Sequence, residues 1–210
     1  MSWKSWPTIK SLTAFRTAKY KQRRVLCETG WIEDAHLKVG ACTGLSLEWL
    51  KAHHAKPGGS ASSRMDSFKV GGRFAYIAQL AKVFNSVGLT YEERIQLAAR
   101  AYLGRADLGK MIAGAETAQL LTYLAANPGY GMLLMELSPA KTNHVCAYFQ
   151  DATGLTFFDP NSGEYRAKDG DRTALIAALR AQYLTYLPLK GPPAAPQTIK
   201  NWVLAKVTPL

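Results

Sequence analysis

The sequence predicts an α+β domain, helices first and an antiparallel sheet after them. Three observations carry this. Apolar residues recur at helical spacing as far as Ala126. Asn127-Pro128-Gly129 then stops the last of those helices. Beyond it come short apolar and aromatic runs of strand length, two of them joined by Asp151-Ala152-Thr153-Gly154, a hairpin signal.

The elements follow in order. Residues 1–24 are basic and expected to be partly helical. Turns at Gly30 and Gly40 lead into a helix that begins near Cys42, with Leu45, Trp49 and Leu50 on its apolar face. Lys56 to Ser63, with Pro57, Gly58 and Gly59, reads as a loop. Three helices come next. Arg73 to Asn85 puts Phe74, Ile77, Leu80, Ala81 and Phe84 on one face; Thr90 and Glu93 form a capping box ahead of Ile95; the third spans Ala115 to Ala126. Gly131 to Leu137, His144 to Gln150 and Leu155 to Asp159 are predicted strands. Arg172 to Tyr183 is a helix, Pro188 to Pro196 a connector and Ile199 to Val207 a returning strand.

A chain of 210 residues with 48% hydrophobic and 20% charged content has the length and composition of a globular protein that folds without staples. Residues 1–30 are expected as a basic extension packed on a domain at 31–210. No run of about 18 apolar residues predicts a membrane-spanning helix. Met1 to Leu12 lacks the apolar core of a cleaved secretory signal.

The net charge is +11 and the isoelectric point 9.6, which favours contact with polyanions. Lys4, Lys10, Arg16, Lys19, Lys21, Arg23 and Arg24 precede the first acid, Glu28, and Trp3, Trp6, Phe15 and Tyr20 are interleaved with them. Such a stretch fits an anionic membrane or cell-wall polymer, or else packs as an element with its charges facing water. No specific nucleic acid is expected as a partner.

Three cysteines, Cys27, Cys42 and Cys146, make neither a disulfide framework nor a zinc pattern, and the four histidines add no metal-ligand spacing. No cofactor and no metal are therefore expected. Cys42 sits in Gly40-Ala41-Cys42-Thr43-Gly44 at a predicted helix start, where the helix dipole favours a thiolate. A nucleophilic cysteine needs a base and a group to hold that base. If Gln150 pairs with Leu155 across the hairpin, His144 and Asp159 become diagonal neighbours on one sheet face, within side-chain reach. A carboxylate there can fix the imidazole tautomer. Cys42, His144 and Asp159 are accordingly the candidate nucleophile, base and orienting acid.

The blocks Gly40-Ala41-Cys42-Thr43-Gly44-Leu45-Ser46-Leu47-Glu48-Trp49, Asn143-His144-Val145-Cys146-Ala147 and Phe158-Asp159-Pro160-Asn161-Ser162-Gly163-Glu164-Tyr165 resemble the YopT/AvrPphB-type effector cysteine proteases. The resemblance covers Cys42 to about Tyr165. It implies a papain-like α+β fold, a helical half carrying Cys42 and a sheet half carrying His144 and Asp159. It further implies peptide-bond hydrolysis through a thioester and delivery into a host or target cell, where a protein is the substrate. A cognate inhibitor or immunity protein is a further partner expected of such a protein. Papain-like enzymes carry Gln or Asn shortly before the cysteine, to complete the oxyanion hole with the cysteine N–H. Residues 33–39 hold neither, and His36 is the stand-in beside Cys42. Two other readings stand: a peptidoglycan amidase or endopeptidase toxin of papain-like fold, suited to an anionic polymer, and a non-catalytic basic module that binds membrane or nucleic acid.

Overall fold

A computed structural model describes residues 9–34, 37–70, 73–84, 88–103, 106–107, 111–113, 117–138, 142–184 and 198–207. The N-terminal part supplies α1 (Lys10–Thr13), β1 (Arg16–Lys19), α2 (Gln22–Glu28) and the long α3 (Leu37–Ala55). α4 (Ala61–Ser67), α5 (Arg73–Phe84) and α6 (Tyr91–Leu103) follow, then the short strands β2 (Ala106–Asp107) and β3 (Met111–Ala113) and helix α7 (Thr117–Ala126). The C-terminal part is β4 (Gly129–Ser138), β5 (Thr142–Asp151), β6 (Gly154–Asp159), β7 (Gly163–Lys168), α8 (Arg172–Leu184) and β8 (Thr198–Val207).

These strands form one antiparallel sheet in the order β1-β7-β6-β5-β4-β8-β2, with β3 also on β8. Helices cover both faces. Met132 and Leu134 of β4 pack with Val145, Ala147 and Phe158 against the α3–α5 side, where Trp49, Met65 and Phe74 lie. The intervening Leu133 and Met135 join Cys146, Tyr148 and Phe157 against α7 and α8. Two buried faces explain why 131–137 reads as an unbroken apolar run instead of an alternating one.

Several expectations hold in detail. Thr90 and Glu93 cap α6 reciprocally: Thr90 N–H donates to Glu93 Oε2 at 2.7 Å and Glu93 N–H to Thr90 Oγ1 at 3.3 Å. Gly30 ends α2 at φ +79°, with Trp31 N–H donating to Leu26 O. That left-handed closure is the one glycine makes cheaply.

Others are corrected. Gly40 is no turn: α3 starts at Leu37, whose N–H donates to Asp34 Oδ1 at 2.9 Å. Cys42 therefore lies in the second turn of α3, where the dipole acts more weakly than at a first residue. The loop after Lys56 is shorter than expected, because Ser60 caps α4, accepting from Ser63 N–H. α4 escaped notice because its seven residues bury only Arg64 and Met65, too few to print a period. The helices-first order is also incomplete, since β1, β2 and β3 precede α7, and β7 was not foreseen. The basic stretch is partly helical, as expected, through α1 and α2, and β1 between them is the unforeseen part. From Ile9 to Gly30 it adds a strand to the sheet edge and buries Leu12, Ala18, Tyr20, Val25 and Leu26 in the two cores. Trp3, Trp6, His36 and the Pro188–Pro196 connector lie outside the described residues.

Candidate functional site

The register of the β5–β6 hairpin positions the base and the acid. Gln150 pairs with Leu155 and Ala147 with Phe158, around a turn at Ala152-Thr153. Asp151 Oδ1 holds that turn by accepting from Thr153 N–H at 2.8 Å and Gly154 N–H at 3.1 Å. The side chains of His144 and Asp159 consequently meet, with His144 Nε2 2.7 Å from Asp159 Oδ1. Both are buried, Asp159 completely.

The Asp159 carboxylate is held on every side. Asn161 N–H donates to Oδ1 at 2.8 Å and the Ser162 hydroxyl donates to Oδ2. Asp159-Pro160-Asn161-Ser162-Gly163 is thus an Asx-type turn as well as the acid's cradle. Burial alone would push the Asp159 carboxyl up. The His144 charge, its hydrogen bond and the donors from Ser162 and Asn161 outweigh that and bring it below its ordinary value. A deprotonated Asp159 can only accept, so Nε2 carries the proton and Nδ1 is left for another partner.

Cys146 on β5 and Cys42 on α3 are both hydrogen-bond partners of His144. Cys42 is 8% exposed. Burial pushes its thiol up, but the bond to His144, the His144 charge and a bond to the Val145 backbone together leave it below its ordinary value. Two local features dock α3 here. Ser46 Oγ donates to Val145 O at 3.2 Å, next to His144. Gly44 faces α5 so closely that a Cβ would lie 2.6 Å from Ile77 Cγ2. His144 in turn loses charge stability by burial and regains more from Cys146 and Asp159, ending well above its ordinary value. Burial drives the Cys146 thiol up to about 11, against the His144 charge and hydrogen bond, which act to lower it.

The N-terminal segment braces the acid loop. Tyr20 N–H donates to Ser162 O at 3.5 Å and Gln22 N–H to Pro160 O at 2.8 Å. Gly163 takes φ +132° where β1 crosses it, and a Cβ there would fall 2.1 Å from Ala18 O. Behind the site Trp49 stacks on Phe158 at 5.9 Å and donates from Nε1 to Glu164 Oε2 at 2.8 Å. Arg64 grips the same carboxylate through Nε at 3.0 Å and Nη2 at 2.7 Å.

Sequence reasoning overlooked Ser162, the donor to Asp159, and Cys146, which lies on the His144 side of β5 with Sγ 3.2 Å from Tyr183 Oη. The spacing His144-Val145-Cys146, two residues apart on a strand, was the available signal for the second. His36, expected as an oxyanion donor, is outside the described residues. No helix among the described residues is long and apolar enough to cross a membrane.

No protein-family model and no curated protein sequence matches the chain. Among solved structures it is similar to the Pseudomonas avirulence protein AvrPphB, at 22% identity and a TM-score of 0.61, over 93% of this chain and 100% of that one. At that identity the likeness concerns architecture, and the architecture is the α+β, papain-like fold of AvrPphB.

Proposed function

We propose that this protein is a cysteine peptidase that cleaves a peptide bond in a protein of a host or target cell, using Cys42, His144 and Asp159. The observation that carries the reading is the buried His144–Asp159 pair at 2.7 Å, with the His144 bond and charge lowering the Cys42 thiol. The AvrPphB-like fold supports it.

In the proposed reaction His144 holds the Cys42 proton and the thiolate attacks the scissile carbonyl carbon. The C=O π pair moves to oxygen. Its return expels the amine, which takes the proton from His144, and leaves a thioester on Cys42. Water then attacks the thioester, His144 accepts the water proton, and the collapsing intermediate releases the acid and the thiolate. Asp159 keeps Nδ1 turned toward sulfur and stabilises the imidazolium. Cys42 N–H and His36 are the proposed oxyanion donors. Delivery into the target cell, contact of the basic stretch with an anionic surface and a cognate inhibitor belong to the same reading.

Protein N-termini profiled in a target-cell lysate test it. New termini made by the protein and absent with Cys42→Ala are expected. A lysate left uncut, with release of peptide fragments from peptidoglycan instead, would assign the site to the cell-wall reaction. No Cys42-dependent cleavage of either would leave only the binding module.

A further inference from the structure

Beside the proposed triad is a second chemistry that hydrolysis does not use. His144, Cys146 and Asp159 each direct one ligand atom into a single buried cluster, all within 4.8 Å of one another. Cys146 is fully buried on β5, two residues from His144 and next to Ala147, which pairs with Phe158 beside Asp159. Nothing in acyl transfer requires a second thiol there.

We propose that His144, Cys146 and Asp159 form a binding site for a thiophilic divalent cation, Zn²⁺ in the first instance, which holds the enzyme inactive. The donor set argues for the metal. One thiolate, one imidazole and one carboxylate on neighbouring strands is a borderline-soft N/O/S set with three protein ligands, leaving a fourth tetrahedral position for water. Magnesium and calcium would take oxygen ligands instead. The geometry is close. Ligands on a tetrahedral ion at bonds of about 2.1 Å stand roughly 3.4 Å apart. The His144–Asp159 pair, now at 2.7 Å, has to open by less than about 1 Å. Outer partners are in place: Asn161 N–H and Ser162 Oγ orient Asp159, and the Tyr183 hydroxyl meets Cys146 Sγ. Such partners orient metal ligands and sustain their affinity.

On binding, one Zn–S, one Zn–N and one Zn–O bond form, the Cys146 thiol loses its proton to solvent, His144 binds through Nε2 as neutral imidazole with its proton on Nδ1, and no redox change occurs. The binding stands on this geometry alone. Its consequence, loss of the base and hence of turnover, rests on the peptidase reading above.

The experiment uses the full chain, chelator-stripped and kept reduced by a phosphine. Zn²⁺ is titrated in competition with a chromophoric chelator, and Co²⁺ is added in parallel to read a thiolate-to-cobalt charge-transfer band. One equivalent is expected, with the band present. The double variant Cys27→Ser/Cys42→Ala leaves Cys146 as the only thiol and should retain both the band and the affinity within about threefold. Outer-sphere losses already cost 10- to 100-fold, so Cys146→Ser should weaken Zn²⁺ by about 100-fold or more and abolish the band. Because the double variant keeps every buried group of the cluster, it decides the question even if Cys146→Ser fails to fold. Absence of binding by the wild-type chain, or a band lost with Cys42 and Cys27, overturns the site. Neither readout depends on turnover, so failure here and failure of the peptidase reading are separable.

Discussion

His144 Nε2 and Asp159 Oδ1 stand 2.7 Å apart because Gln150, and no neighbour of it, pairs with Leu155. A slip of one residue in that hairpin would turn Asp159 to the opposite sheet face. The relation between base and acid is thus a register property, set by the turn at Ala152-Thr153.

Asp159→Asn is expected to lower turnover by about 10²- to 10⁴-fold while the Cys42 thiol survives. An amide can still meet His144 but cannot stabilise imidazolium, and its own NH₂ favours the wrong tautomer. The loss should be smaller than that caused by Cys42→Ala. Steady-state rates of both variants, beside their melting curves, check this, and an Asp159→Asn enzyme with full turnover would remove the acid from the account.

Thiol reactivity should rank Cys42 above the other two cysteines near neutral pH. Its thiol is lowered by His144, whereas burial holds Cys146 near 11. Alkylation with iodoacetamide followed by peptide mapping should label Cys42 first and Cys146 last. His144→Ala should slow Cys42 by about tenfold for each pKa unit recovered. Cys42 labelling that ignores His144 would mean the two do not interact.

Glu164→Gln should destabilise the fold by about 3–5 kcal/mol, because Arg64 is left buried without its counter-charge. The same change loosens Trp49, which donates to Glu164 from the helix carrying Cys42. Chemical denaturation measures it. Pairing the change with Arg64→Met should restore part of the loss, and two additive losses would show that the pair is not coupled.

His53 predicts a pH dependence. It is buried, with Nδ1 3.1 Å from Tyr130 Oη and its ring 4.7 Å from Trp49. Burial and then the Arg64 charge draw it down to about 4, against opposing contributions from Glu164 and Asp151, with Arg166 adding to the lowering. Unfolded, it titrates near 6.5. The unfolded chain therefore binds more protons between those values, so stability is full above about pH 6.5 and falls as pH drops toward 4. The difference amounts to about 3 kcal/mol at most. Melting of wild type and His53→Phe across that window should differ in slope, with the variant flatter; parallel curves would contradict a neutral buried His53.

Much of this was legible in the sequence where one local rule governs. The capping box at Thr90 and Glu93, the stop after Ala126 and the hairpin at Asp151–Gly154 each depend on a few adjacent residues, and each appears as expected. The β7 strand was missed although Tyr165 and Ala167 alternate inward, because Glu164, which should read as exposed, is buried by Arg64 from a distant helix. The start of α3 moved to Leu37 because an Asp34 side chain, not Gly40, settles it. β1 has four residues and is a strand by virtue of β7, a partner about 145 residues away, which no local pattern of cations and aromatics announces. For the site, the His144–Asp159 contact follows from the hairpin register that the turn residues announce, whereas Ser162 reaches Asp159 only once the acid loop is assembled.

Acyl-enzyme trapping tests the central claim most directly. Turnover of an activated peptide ester, quenched in acid and mapped by mass spectrometry, should yield an acyl adduct on Cys42. Cys42→Ala should give no adduct and no turnover while melting near the wild-type temperature. An adduct on Cys146 or Cys27, or undiminished turnover in Cys42→Ala, would contradict the account.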